Sequence, residues 1–281
     1  MTLYLHIGAQ KTGSTTIQEA LYRNRGALLR AGLTYPEVQA DDKNKVSHYN
    51  SLRGFFTRQK DQIADTDAFI SRVNGIEGDV LLSSEALSNW PPLAPRETAA
   101  QYWARKQTIL EGIRDRLAQR RVKVIYCVRE RTAYLKSLFK QHLKVLQRPS
   151  LSIEDELDGF LKREVVRSDT ARQAEIWRKV FGNVGIIDFD EHARAGTLLD
   201  AFVERLDRQV DLRDVEVRNV SPDWTELEMT RISRTYQLDP PARLIGKAGP
   251  GPERREQVNT MIEAMVARRI KAAVAQAEAE K

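Results

Sequence analysis

Residues 3–16, Leu-Tyr-Leu-His-Ile-Gly-Ala-Gln-Lys-Thr-Gly-Ser-Thr-Thr, decide how this chain is read. The apolar run Leu3–Ile7 has the length and composition of a buried strand, and Gly8 breaks it. An amphipathic helical pattern then runs from about Thr15 to about Arg30. A strand, a Gly-bounded loop and a helix start turn backbone N–H groups and a helix N-terminus towards an anion. Gly8 and Gly13 keep the G-x-x-x-x-G spacing of a P-loop. A nucleotide-hydrolysing P-loop then requires Lys-Ser/Thr, whose hydroxyl holds Mg²⁺. Here Ser14 and Thr15 follow instead, and the lysine sits inside the loop as Lys11. The pattern points to a phosphate-bearing group handled without the magnesium arrangement of ATP hydrolysis.

A second element supports this reading. Val122–Val128 has the composition of another buried strand, it ends at Arg129, and Ser137 lies eight residues further on in a helical pattern. Gly-Ala-Gln-Lys-Thr-Gly-Ser-Thr-Thr together with Arg129 and Ser137 resembles the sulfotransferases that use 3′-phosphoadenosine 5′-phosphosulfate (PAPS). That family reads Lys-x-Gly-(Thr/Ser)-(Thr/Ser) after its first strand and places an Arg and a Ser at this spacing. The resemblance covers roughly residues 1–190. It implies that Gln10, Lys11, Thr12, Gly13, Ser14, Thr15 and Thr16 hold the 5′-phosphosulfate, and that Arg129 and Ser137 hold the 3′-phosphate. Lys11 would meet the charge on the leaving oxygen. The family takes the acceptor proton with a His or a Glu, and the candidates here are Glu85, closing Leu-Leu-Ser-Ser-Glu, and His48, in Ser-His-Tyr-Asn. One departure concerns the family's acidic residue and proline after the Arg: here Glu130 is followed by Arg131.

Each candidate also has a plainer reading. Lys11 could be an exposed loop lysine, Ser14 or Thr15 a helix cap, and Arg129 a salt-bridge partner. His6, inside the first strand, and His142, on the apolar stripe of residues 135–146, read as core or wall histidines. Cys127 falls inside an apolar strand and reads as a small core residue.

The 281 residues are 41% hydrophobic and 30% charged, a globular composition for one large domain. A core at about 1–190 and a helical extension at about 191–281 are expected. The net charge of +6 suits an anionic donor or acceptor, and would suit nucleic acid equally. One cysteine cannot close an internal disulfide, so a reducing, cytoplasmic setting is expected. No run of 18 apolar residues and no leader pattern is present, so neither integral membrane contact nor secretion is expected. No His/Cys/Asp/Glu grouping has metal-ligand spacing, and no metal is expected. The basic stretch 131–148 reads as a solvated helix face plus the 3′-phosphate pocket, with no nucleic-acid partner.

Strand patterns at 3–7, 79–85, 122–128 and 184–189 alternate with helical ones. This predicts an α/β fold, a three-layer P-loop-like parallel sheet flanked by helices with a mostly helical C-terminal part. Helices are expected over 52–74, 97–120, 132–146, 168–180 and 253–281, with an N-cap at Ser152. The Pro-rich stretch 86–97 is expected to be irregular, and Gly246–Pro252 to form a loop able to cover a nucleotide. The leading function is sulfuryl transfer from PAPS to a hydroxyl of a carbohydrate, lipid or small metabolite. The alternatives are a P-loop nucleotide kinase or hydrolase, or a non-catalytic nucleotide- or nucleic-acid-binding module.

Overall fold

The computed structural model describes residues 1–39, 45–147, 149–150, 152–212, 222–235 and 251–280. Five strands, β1 (Thr2–His6), β2 (Leu33–Thr34), β3 (Asp79–Ser83), β4 (Arg121–Val128) and β5 (Val184–Asp188), form one sheet in the order β2-β3-β1-β4-β5. All pairings are parallel, with Leu5 opposite Leu82 on one side and Val124 on the other. A parallel sheet is covered on both faces, which is why β1, β3 and β4 read as near-continuous apolar runs.

One face lies under α1 (Ser14–Arg23), α2 (Arg25–Arg30) and α10 (Leu198–Glu204). Tyr4, Leu81, Ile125, Cys127 and Ile187 of the sheet meet Ile17, Leu21, Leu28 and Phe202 there. Burial pushes the Cys127 thiol up to about 12, so it is an inert core residue. On the other face, α8 (Thr170–Phe181) packs on β4 and β5, and α5 (Ala99–Arg116) packs on α8. Thr98 and Gln101 start α5 with a reciprocal capping box.

The chain leaves β1 towards β2 on one side of the sheet and leaves β4 towards β5 on the other. Adjacent strands whose connections diverge in this way open a crevice beyond their carboxyl ends. The Gly8–Thr16 loop and Arg129 follow those two strand ends.

The described residues divide into two compact units, one within 1–129 and 170–218, the other within 130–169 and 219–281. The second unit contains α6 (Arg131–Val145), α7 (Ile153–Glu164), α11 (Trp224–Thr235) and α12 (Pro252–Ala279). Phe139 stands at its centre, 5.2 Å from the Phe160 ring and 6.2 Å from the Trp224 ring. Ile262, Val266 and Ile270 bury one stripe of α12 at successive four-residue steps. Ser152 caps α7 by accepting the Asp155 N–H, as its sequence pattern indicates.

Two local expectations are corrected. The helix over 52–74 is instead a 3₁₀ turn, Arg53–Phe55, followed by α3 (Lys60–Asn74). Thr66 Oγ1 accepts the Gly54 N–H and donates to the Ser51 carbonyl, folding the 51–56 segment back onto α3. A Cβ at Gly54 would lie 2.4 Å from the Gln62 carbonyl, so only glycine permits this contact. The stretch 86–97 is not wholly irregular, because Ala86–Asn89 forms a helical turn, α4, whose N-cap position is Glu85. The break at 219–222 and the Gly246–Pro252 loop lie outside the described residues up to 221 and 250 respectively.

Candidate functional site

The Gly8–Thr16 loop is built from inside. Its approach continues the sheet pairing, with Ile7 N–H donating to the Ile125 carbonyl and Ala9 N–H to the Cys127 carbonyl. The Thr12 hydroxyl, fully buried, donates to the Ala9 carbonyl at 2.5 Å, and the Ser14 hydroxyl reaches the same carbonyl at 3.2 Å. Two residues take left-handed backbone, Lys11 at φ 63° and Gly13 at φ 73°. At Gly13 a Cβ would meet Leu198 Cδ2 at 2.5 Å and the Phe189 ring at 3.0 Å, so both φ and space select glycine. Gly13 is also the N-cap of α1, and no side chain caps the helix. Ser14 is buried and its hydroxyl serves the loop, so the first-turn N–H groups of α1 have no side-chain cap. Gln10 and Thr15 are exposed, and Lys11 and Thr16 part-buried, on the same loop.

Glu85 stands beside this loop. Burial raises its pKa above the ordinary glutamate value, while a hydrogen bond from Ser14 and the Lys11 charge pull it back. Lys11, Ser14 and Glu85 therefore form one group at the carboxyl edge of β1 and β3. Ser88, three residues on, fixes the spacing: its hydroxyl lies 3.0 Å from the Gly8 carbonyl and 2.9 Å from the Glu85 carbonyl. The Ser88 carbonyl in turn receives Lys106 Nζ at 2.6 Å and Gln173 Nε2 at 2.7 Å. Sequence reasoning missed Lys106. Its signal was legible: it falls on the buried α5 stripe of Tyr102, Trp103, Leu110 and Ile113, where a lysine needs a reason to be.

His48 is fully buried, and both ring nitrogens are committed to main chain. Nδ1 accepts the Ser83 N–H at 3.1 Å and Nε2–H donates to the Pro36 carbonyl at 3.1 Å. Burial pushes its pKa down to about 4. The ring is a neutral strut holding residues 45–52 against the end of β3, with no nitrogen left to receive an acceptor proton. His6 is likewise buried, its pKa lowered to about 3 by burial, with Nδ1 2.8 Å from Ser83 Oγ. Ser83 Oγ also accepts from Gln18 Nε2 at 3.2 Å and is hydrogen-bonded to the Tyr35 hydroxyl, which donates to the Val46 carbonyl. These bonds set a consistent proton order: Ser83 donates to Tyr35 and accepts from Gln18 and from His6 Nδ1–H.

Arg129 pairs through Nε with Asp190 Oδ1 at 3.0 Å, and its guanidinium lies 5.3 Å above the Phe189 ring. Phe189 is, with Leu198, one of the two side chains packed against Gly13. The arginine thus stands over a ring that abuts the Gly8–Thr16 loop, beside α9 (Phe189–Ala195). Ser137 lies on α6 in the second unit, part-buried. The Glu130–Arg131 departure has a local role, since the Glu130 carboxylate caps α6 by accepting the Thr132 and Ala133 N–H groups at 2.8 and 2.7 Å. His142 contacts Glu156 at 2.7 Å in the second unit, a wall position. Among the described residues no group of three His, Cys, Asp or Glu is gathered as a metal would require. None of the described helices is long and apolar enough to cross a membrane.

No family model matches this chain, and no curated protein matches it. Among solved structures, the chain is similar to mouse sulfotransferase SULT7A1 complexed with PAP, with 14% identity and a TM-score of 0.36. The match covers 84% of this chain and spans 65% of the mouse chain.

Proposed function

We propose that this chain is a sulfotransferase moving a sulfuryl group from PAPS to an acceptor hydroxyl. The observation that carries the reading is the group formed by Lys11, Ser14 and Glu85 around the uncapped start of α1. It combines an anion-binding backbone, a cation and a carboxyl of raised pKa, and the loop sequence resembles the phosphosulfate loop of that family.

The first-turn N–H groups of α1 and the loop residues Gln10 to Thr16 hold the 5′-phosphosulfate. Arg129 takes the 3′-phosphate. The acceptor oxygen attacks sulfur, the new S–O bond forms as the S–O bond to the 5′-phosphate breaks, and 3′-phosphoadenosine 5′-phosphate (PAP) leaves. Lys11 offsets charge growing on the departing phosphate oxygen. The acceptor proton passes to Glu85, whose raised pKa brings it nearer the working pH than an ordinary carboxylate. Of the two candidate bases, Glu85 is favoured because His48 has both nitrogens bonded to main chain. No metal is needed for these steps, and the acceptor is a metabolite, lipid or carbohydrate met in the cytoplasm.

The test is ligand stabilisation followed by transfer. PAP at 100 times its dissociation constant should stabilise the fold by about 2.7 kcal/mol, and ATP–Mg²⁺ should do less. Transfer of labelled sulfate from PAPS to an acceptor panel completes it. Preferential stabilisation by ATP–Mg²⁺, with nucleotide hydrolysis, would replace this reading with a kinase or hydrolase.

A further inference from the structure

Glu85 is carried by a single helical turn. Around α4 the Ser88 N–H reaches the Glu85 carbonyl at 3.2 Å and the Trp90 N–H reaches the Ala86 carbonyl at 3.0 Å. One turn of helix is marginal by itself, because its first bonds must fix several residues at once. The position of Glu85 therefore depends on what holds the turn from outside.

Ser88 is the point of attachment. Its hydroxyl joins the Gly8 carbonyl, at the start of the Gly8–Thr16 loop, to the Glu85 carbonyl. Its own carbonyl receives Lys106 Nζ from α5 and Gln173 Nε2 from α8. Gln173 Nε2 also reaches the Tyr126 hydroxyl on β4 at 3.4 Å. Ser88, Lys106 and Gln173 are all buried.

Hydrogen-bond satisfaction does not by itself require the lysine, because Gln173 already donates to the Ser88 carbonyl. Packing does not require it either. Lys106 lies in the buried stripe of Tyr102, Trp103, Leu110 and Ile113, where an apolar side chain of the same length would avoid taking an amino group out of water. What the lysine adds is a second tether from a second helix. α5 is 18 residues long and starts from a capping box, so it is a firm base for that tether. Donors from two helices fix the direction of a carbonyl that one donor would leave free to swing.

We propose that Lys106 is a positioning residue of the reaction: through the Ser88 carbonyl it holds α4, and so sets Glu85 relative to Lys11 and the Gly8–Thr16 loop. This rests on the sulfotransferase reading and on Glu85 as the base. A displaced carboxyl takes the acceptor proton poorly while the donor still binds, so the loss falls on kcat.

The experiment uses the full chain with labelled PAPS and water as the acceptor, so that no other acceptor need be identified. Lys106→Met keeps the length of the side chain and removes its donor. Its melting midpoint should stand at or above the native one. PAP affinity and KM for PAPS should stay within about twofold, and kcat should fall about tenfold or more. Lys106→Gln, which keeps an N–H donor on a slightly shorter side chain, should recover part of that loss. In a Glu85→Gln background Lys106→Met should lower kcat no further, because the lysine acts through that carboxyl. Ser88→Ala cuts the hydroxyl bridge, should give a kcat loss of the same kind, and tests the same route should Lys106→Met not fold. A folded Lys106→Met or Ser88→Ala protein with kcat within about twofold of native overturns the proposal. So does an undiminished Lys106→Met loss in the Glu85→Gln background. Absence of PAP binding and of sulfate release in the unmodified protein overturns the donor reading instead.

Discussion

The imidazole of His48 spans two main-chain groups, accepting the Ser83 N–H through Nδ1 and donating to the Pro36 carbonyl through Nε2, each at 3.1 Å. The histidine thereby replaces a missing strand partner and joins residues 36, 48 and 83 at the edge of the sheet. His48→Ala would leave a buried N–H and a buried carbonyl unpaired, each costing about 1–3 kcal/mol, and would open a cavity besides. Urea denaturation should show a total loss on the order of 3–5 kcal/mol. An unchanged midpoint would remove the strut.

His6 and His48 also set an acid limit. Burial holds their folded pKa values at about 3 and about 4, below the ordinary 6.5. Between pH 4 and 6.5 the unfolded chain therefore binds protons that the folded chain refuses. The stability these two neutral rings contribute is complete above about 6.5 and is lost as pH falls towards 4. With both unfolded rings protonated, their share of the slope is about 2.7 kcal/mol per pH unit. Denaturation series at pH 7, 6 and 5 should show it, and substitution of His48 by Gln should halve it.

Glu85→Gln separates function from stability. The native carboxyl has a raised pKa, so its ionised form is the one the folded state disfavours. Stability contributed by the protonated form is present at low pH and is lost as pH rises through the raised value. A neutral amide removes that cost, and the variant should gain on the order of 0.5–1 kcal/mol at neutral pH. Turnover should fall by about 10²–10⁴ with PAP affinity retained. The wild-type rate should lose activity on acidification through a pKa above the ordinary glutamate value. Full turnover in Glu85→Gln would place the base elsewhere.

Legibility differed along the chain for physical reasons. The strand–loop–helix at 2–23 and the β4 end at Arg129 were readable because a parallel sheet buries both faces and a phosphate-type loop forces glycine at fixed spacing. The 52–74 segment was misread as one helix, since its break depends on Gly54 fitting against Thr66, a tertiary contact with no local period. His48 stood among polar residues as a candidate base, yet its environment is made by Tyr35 and Phe69 from elsewhere in the chain. Ser88 and Lys106 support Glu85 through hydrogen bonds across many residues, which no motif encodes.

Arg129 and Asp190 make a second test pair. If Arg129 binds the 3′-phosphate, Arg129→Ala should weaken PAP by on the order of 1.5–3 kcal/mol and adenosine 5′-phosphate far less. Asp190→Asn removes the carboxylate now paired with the guanidinium, 3.0 Å away, and should raise PAP affinity severalfold. A purely structural Arg129 would give equal losses for both nucleotides and no gain from Asp190→Asn.

Lys11 holds left-handed backbone at φ 63°, a conformation that costs a residue with a Cβ about 1–2 kcal/mol. Substitution by glycine therefore removes strain and charge together. The relief is offset by the larger backbone freedom of unfolded glycine, about 0.5–1 kcal/mol, so Lys11→Gly should be as stable as the native chain or slightly more so. Its rate should nevertheless fall by about 10²–10³, the usual loss when one preorganised electrostatic partner of the transition state is deleted. Lys11→Ala keeps the strain and should lose both a little stability and the same rate. Thermal melts and labelled-sulfate turnover of the two variants, side by side, distinguish a loop lysine that only shapes the turn from one that acts on the leaving phosphate. Native turnover in a stable Lys11→Gly protein would show that the turn is all it provides.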